Sequence, residues 1–122
     1  MSSCNGTPAP EAHENIASLS PQVAAMFQGK GDVIFVDPRP ASAIASTTGI
    51  IPGAHNIALD DIREGKLTDA LADHGIHMIT SCQAGPMAAL AAQELAKRGF
   101  TRVNYVEGGT QGWTDAGFPT DR

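Results

Sequence analysis

Short apolar blocks alternate with polar, glycine- and proline-containing stretches along this chain. Residues 33–36 form an unbroken apolar run, which is typical of a strand covered on both faces. Residues 77–81 and 103–106 predict two further strands, and residues 15–18 and 54–57 predict two short ones. Proline after residue 37 ends the first long strand, because proline cannot continue a central ladder.

Helices are predicted between these strands. Ser20-Pro21 has the pattern of an N-cap followed by proline at the first helical position. The longest helix has small apolar residues on one face, two basic residues in its last turn and Gly99 as its stop. The predicted helical ranges are 21–28, 41–45, 60–64, 68–73, 86–98 and a short final segment that contains Trp113.

The order of these elements indicates the fold class. Strands alternate with helices, and no two-residue hairpin joins neighbouring strands, which favours parallel strands with helical crossovers. We therefore predict a three-layer α/β fold with a mostly parallel sheet of four to five strands and helices on both faces. Ligands of such folds bind beyond the carboxyl ends of the strands, where Cys82 is placed by the pattern.

Composition limits the classes of function. The sequence predicts a disordered tail over residues 1–14 and one domain over 15–122. With 42% hydrophobic and 17% charged residues, the chain resembles ordinary soluble globular proteins. The net charge of −5, with scattered basic residues, argues against a nucleic-acid partner. No signal peptide and no apolar run of ~20 residues is present, so we expect a cytoplasmic protein without a membrane partner.

Two cysteines are too few for a disulfide framework. Cys4 lies in the polar tail and is interpreted as an incidental surface thiol. Cys82 falls on the turn between a strand and a helix, where backbone amides and the helix start favour a thiolate. The alternative is a buried, inert cysteine, since free cysteines are among the most buried residues. No histidine has ligand-like spacing to Cys82, so no metal is predicted.

Four short motifs follow one another along the chain. They are Asp37-Pro38-Arg39, the Ile-Pro-Gly-Ala-His-Asn-Ile segment at 51–57, the loop from Cys82 to Ala88, and Gly108-Gly109 followed by Trp113. In this order and spacing the chain resembles the single-domain rhodanese family over residues 16–119. From the residue types, Asp37 and Arg39 are interpreted as a structural ion pair or strand cap rather than catalytic residues, and Trp113 as a core anchor.

The resemblance implies a sulfurtransferase. Cys82 would take a sulfane sulfur from thiosulfate or a persulfide, and would pass it to a thiophilic acceptor. Partners would be small sulfur donors or acceptors, including a persulfide-bearing protein, and no cofactor is implied. The loop that would cradle the persulfide with its amides comprises Gln83, Ala84, Gly85, Pro86, Met87 and Ala88.

The chain departs from the family pattern Cys-x-x-Gly-x-Arg-Ser. Met87 replaces the arginine and Ala88 the serine, and Ile50 replaces a histidine common before the Ile-Pro-Gly-Ala segment. We expect weak recognition of sulfonate-bearing donors, which the arginine would assist with charge-assisted hydrogen bonds. Met87 itself is either a gap-filling core residue or part of an apolar substrate mouth.

Two other functions remain. One is a rhodanese-like binding or regulatory module with little turnover, which the replaced loop residues support. The other is phosphatase or arsenate reductase chemistry, since cell-cycle phosphatases share the fold. That chemistry is less consistent with this chain, because those enzymes use a Cys-x-x-x-x-x-Arg loop. The loop here is one residue shorter and has no arginine.

Overall fold

The structure, a computed structural model, describes residues 16–67 and 73–121. Within them, alternating elements form a sheet with helices packed against it. The strands are β1 (Ser18–Leu19), β2 (Val33–Asp37), β3 (His55–Asn56), β4 (His77–Thr80) and β5 (Arg102–Val106). The helices are α1 (Pro21–Ala25), α2 (Ala41–Ser46), α3 (Leu59–Glu64), α4 (Pro86–Lys97) and α5 (Gly109–Asp115).

The sheet has five strands in the order β1-β5-β4-β2-β3, and all neighbouring strands are parallel. The central strand is β4, in which Met78 pairs with Ile34 of β2 and Val103 of β5. The prediction of a parallel α/β sheet is confirmed. Because all strands run in one direction, the segments that follow them meet at one edge of the sheet.

A hydrophobic core lies on each face of the sheet. Adjacent residues of β4 supply both cores, since side chains along a strand point alternately to opposite faces. Met78 packs with Ile62 of α3 and Leu95 of α4, whereas Ile79 packs with Trp113 of α5. All five of these residues are fully buried. The predicted three layers and the anchoring role of Trp113 are therefore confirmed.

Several element boundaries differ from the predicted ones. The first strand is Ser18–Leu19 rather than 15–18, and the helix predicted over 21–28 is regular over Pro21–Ala25. The amides of Met26 and Phe27 bond to carbonyls three residues back, at 3.0 Å each, so the helix tightens into turns. The strand predicted over 54–57 is shortened to His55–Asn56.

Two predicted segments lie outside the described residues: the tail over 1–14 and most of the helix predicted over 68–73. In the described parts of the chain, no helix is long and apolar enough to cross a membrane.

Candidate active site

Cys82 lies at the carboxyl end of the central strand β4, as the pattern predicts. The residue is only 3% exposed, and its Sγ accepts a hydrogen bond of 3.1 Å from the backbone amide of Gly85. Gly85 has a φ of 124°, which residues other than glycine rarely adopt. The chain can therefore turn back sharply enough for the Gly85 amide to face the sulfur.

The loop was predicted to surround the sulfur with several amides. In the described residues, the Gly85 amide is the donor that reaches Sγ. Pro86 occupies the first position of α4 and has no N–H, which removes one donor from the loop. The unmodified Sγ therefore faces one directed backbone dipole.

The N-terminus of α5 holds the loop from its other side. The backbone amide of Thr110 donates to the carbonyl of Cys82 at 2.6 Å. The backbone amide of Gln111 donates to the carbonyl of Gln83 at 2.9 Å. The two loop carbonyls therefore satisfy helix-end amides, which would otherwise lack partners. This fixes the orientation of the peptide groups on both sides of Cys82.

Gly109 is essential to this docking. A Cβ at this position would lie 2.6 Å from the carbonyl oxygens of both Cys82 and Gln83, and its φ is 65°. The sequence reasoning interpreted Gly108-Gly109 only as a turn and missed its contact with the loop. The signal was present, since adjacent glycines often mark close approach of two backbone segments.

Two buried hydroxyl contacts fasten the base of the loop. The hydroxyls of Ser81 and Thr110 lie 2.7 Å apart, and Thr80 donates to the carbonyl of Ala88 at 2.7 Å. Ala88 is fully buried, so this residue supports the helix start and does not face the cavity. The strand end, α4 and α5 are thereby tied together around Cys82.

A cavity of about 310 Å³ opens above the sulfur. Four of the predicted loop residues line it, namely Gln83, Ala84, Pro86 and Met87. The opposite wall comes from the segment after β2, and the sequence reasoning did not assign Pro40 and Ala43 to the site. Met87 is half-buried and lines the cavity, which favours its interpretation as part of an apolar mouth. The full lining is Arg39, Pro40, Ala43, Cys82, Gln83, Ala84, Pro86 and Met87.

Arg39 is the cation of this lining, but its donors are all used. Its Nε and Nη2 bind the two carboxylate oxygens of Asp37 at 3.0 and 2.7 Å. Nη1 donates to the hydroxyls of Thr47 and Thr48, and Nη2 also donates to the carbonyl of Gly49. A guanidinium has five N–H donors, and each one has a partner here. Asp37 and Arg39 therefore form the predicted structural ion pair.

A larger cavity of about 480 Å³ opens at the amino ends of β4 and β5, where His77, Arg102 and Asn104 line it. Cys82 does not line this cavity. In the segments that the structure describes, no three histidine, cysteine or acidic side chains are grouped as metal ligands. Cys82 supplies the thiol in the lining of the 310 Å³ cavity.

Comparison with known proteins agrees with this geometry. The family model described as the rhodanese-like domain matches residues 20–116, which include β4, the loop after it and α5. The chain belongs to the rhodanese-like domain family.

Three individual proteins illustrate what this chain is similar to in sequence or in fold. The thiosulfate sulfurtransferase GlpE of Glaesserella parasuis is 30% identical over 108 residues, covering 88% of this rhodanese-like chain and 95% of the relative. A Rhodopseudomonas palustris protein of unknown function, named as a possible tyrosine phosphatase, has a TM-score of 0.76 at 25% identity, covering 96% and 97% of the two chains. The human single-domain sulfurtransferase has a TM-score of 0.69 at 20% identity, covering 80% and 95%, and shares the fold.

Proposed function

We propose that this rhodanese-like domain is a sulfurtransferase that carries sulfane sulfur on Cys82. The observation that carries the proposal is the position of Sγ, which lies on the floor of a cavity and accepts a hydrogen bond from the Gly85 amide. A backbone donor at this place stabilises negative charge on sulfur at no cost in reorganisation. The match to the rhodanese-like family and the name of the GlpE relative support the same reaction.

The reaction consists of two displacements. The Cys82 thiolate attacks the outer sulfur of the donor, a bond forms between the two sulfurs, and the donor leaves with the electron pair of its broken bond. From thiosulfate the leaving group is sulfite, and from an organic persulfide it is a thiolate. An acceptor nucleophile then attacks the outer sulfur of the Cys82 persulfide and releases the Cys82 thiolate. With cyanide as acceptor, the product is thiocyanate.

The charges of the cavity favour some donors over others. The Arg39 donors are bound to Asp37, Thr47, Thr48 and Gly49, so none of them is left for an incoming sulfonate. Met87 supplies no charge at the place where the family has arginine. We propose that thiosulfate is a slow donor and that persulfides, which have no sulfonate for the site to bind, are faster.

The decisive experiment is intact-mass spectrometry of the Cys4→Ser variant after treatment with a sulfane sulfur donor. We expect one added sulfur atom, which cyanide removes as thiocyanate. The Cys4→Ser/Cys82→Ser double variant is the matched control and gains no sulfur. If neither thiosulfate nor an organic persulfide adds sulfur to Cys82, the proposal is wrong and the binding-module interpretation takes its place.

Phosphatase activity is less well supported. A phosphate dianion in this cavity would need cationic or multiple backbone donors, whereas the described lining offers one committed guanidinium and mostly apolar side chains. Hydrolysis of p-nitrophenyl phosphate that depends on Cys82 would contradict this view.

A further inference from the structure

A second, smaller cavity adjoins the one above Cys82. It has a volume of about 180 Å³, and Pro40 and Met87 line both cavities. Its remaining lining lies on the segment after β2 and at the start of α3, and comprises Pro38, Ala58, Leu59 and Asp60. Because the two cavities adjoin at Pro40 and Met87, a molecule whose sulfur reaches Cys82 can extend past Met87 into this second space, which we call the side pocket.

We propose that the side pocket binds the hydrocarbon group of an uncharged organic thiol, which accepts the sulfur carried by Cys82. The inference rests on the proposed sulfurtransferase function and names its acceptor class. The acceptor thiol loses its proton to water, and the resulting thiolate attacks the outer sulfur of the Cys82 persulfide and forms a new S–S bond. The bond to Cys82 breaks, its electron pair stays on the Cys82 sulfur, and the acceptor leaves as a persulfide.

The chemistry of the lining selects the acceptor. Five of the six side-pocket residues are proline, alanine, leucine or methionine. The exception, Asp60, has a side chain that is 85% exposed and lies 3.8 Å from Arg63, so its carboxylate faces solvent. A carboxylate or sulfonate on the acceptor would lose its hydration in the side pocket without gaining a partner there. An aromatic or aliphatic group instead removes apolar surface from water.

Met87 makes the junction adaptable. It is half-buried and lies in the first turn of α4, one residue after Pro86. A methionine side chain is flexible and polarisable and fills irregular gaps against apolar surfaces. The same residue that fails to hold a sulfonate therefore suits a hydrocarbon group lying against it. Methionine in place of the family's arginine and the apolar side pocket therefore favour the same class of acceptor.

The test uses the full-length Cys4→Ser protein, loaded with sulfur on Cys82 and freed of donor. Phenylmethanethiol and 2-mercaptoethanesulfonate are compared as acceptors. The rate at which each thiol removes sulfur from Cys82 is divided by its rate with a free persulfide, which corrects for the reactivity of the thiol itself. Hydrophobic pockets distinguish ligands by single groups at the level of about 10-fold or more. We expect half-saturation with phenylmethanethiol at a concentration at least about 10-fold lower.

A cavity-filling variant shows whether the side pocket is responsible. Ala58→Phe places a ring in the side pocket and should abolish the preference for phenylmethanethiol. Ala58→Leu, a smaller filling, should reduce it. The matched control is Ala116→Phe, since Ala116 is exposed after α5 and should leave the preference as in the parent protein. Circular dichroism verifies the fold of each variant.

The outcomes separate the two proposals. If Cys82 accepts no sulfur from any donor, the sulfurtransferase proposal fails and this one fails with it. If Cys82 is loaded but the two thiols saturate alike, the acceptor proposal alone is wrong. It is equally wrong if the preference survives in both Ala58 variants.

Discussion

Two segments meet at the cavity, and they are held in opposite ways. The segment after β2 is fixed by side chains, because Arg39 gathers Asp37, two threonine hydroxyls and a carbonyl around one buried guanidinium. The loop after β4 is fixed by its backbone, whose carbonyls accept amides from the N-terminus of α5. A buried ion pair therefore holds one wall of the cavity in place, whereas hydrogen bonds between backbone groups hold the other.

This contrast explains the character of the site. The Arg39 guanidinium, which lines the cavity, is paired with Asp37 and has an acceptor for each N–H, so it contributes rigidity rather than affinity for anions. The loop leaves its sulfur facing one amide and an apolar cavity. Because the two walls are held differently, substitutions on them should have different effects.

The largest expected effect comes from breaking the charged wall. Asp37→Ala leaves the Arg39 guanidinium buried without its counter-ion, which costs about 3–5 kcal/mol in the free energy of unfolding. Urea denaturation followed by circular dichroism measures this loss. Asp60→Ala is the control, because its exposed pair with Arg63 contributes at most about 1 kcal/mol. Equal losses in the two variants would contradict the structural role of Arg39.

The backbone-held wall is broken at Gly109. Gly109→Ala forces a left-handed alanine and a Cβ contact with two loop carbonyls, which together cost about 2–5 kcal/mol and displace Cys82. Gly29→Ala shares the positive φ but meets nothing within 4 Å, so only about 1–2 kcal/mol should be lost. Denaturation and the rate of sulfur loading of Cys82 are measured for both. Normal loading in Gly109→Ala would show that α5 does not position the loop.

Charge can be added to the apolar wall at Met87. Met87→Arg supplies the missing partner for a sulfonate, and a charge-assisted hydrogen bond of about 1.5–3 kcal/mol raises kcat/KM for thiosulfate about 10- to 100-fold. Leu90→Arg puts the same charge on an exposed position of α4 that does not line the cavity, and should change little. Thiocyanate formation is the assay. Rapid turnover of thiosulfate by the unmodified protein would refute the charge argument.

The smallest expected effect concerns the tie between β4 and α4. Thr80→Val removes the hydroxyl that donates to the Ala88 carbonyl and keeps the shape of the side chain. A single neutral hydrogen bond contributes about 0.5–1.5 kcal/mol to the free energy of unfolding. Sulfur loading of Cys82 should be retained, since Cys82 keeps its amide partners. Lost loading in a stable Thr80→Val variant would mean that this tie, rather than α5, orients the loop.

Much of the fold could be predicted because it depends on local patterns. The apolar run of β2, the Ser20-Pro21 helix start and the placement of Cys82 after a strand all follow from residues close in sequence. Short elements were predicted less well. The ends of β1, β3 and α1 depend on hydrogen bonds to distant segments or on tightening turns, which leave a weak trace in composition.

The sequence predicted the position of Cys82 and of its loop at a strand end, but not the residues on the other side of the cavity. Pro40 and Ala43 face Cys82 only because two parallel strands end side by side, which no local pattern states. The contact of Gly109 with the loop depends on where α5 packs on the sheet.

By itself, the sequence determined the class of fold, the position of the sulfur at a strand end and the absence of arginine from the loop. These features rest on hydrophobic periodicity, on backbone preferences and on residue identity, which need no distant partner. Only the tertiary structure decided that the Arg39 charge is consumed by Asp37 and its neighbours, and that Met87 joins two apolar cavities. The reason is that hydrogen-bond saturation and cavity shape arise between segments far apart in the chain.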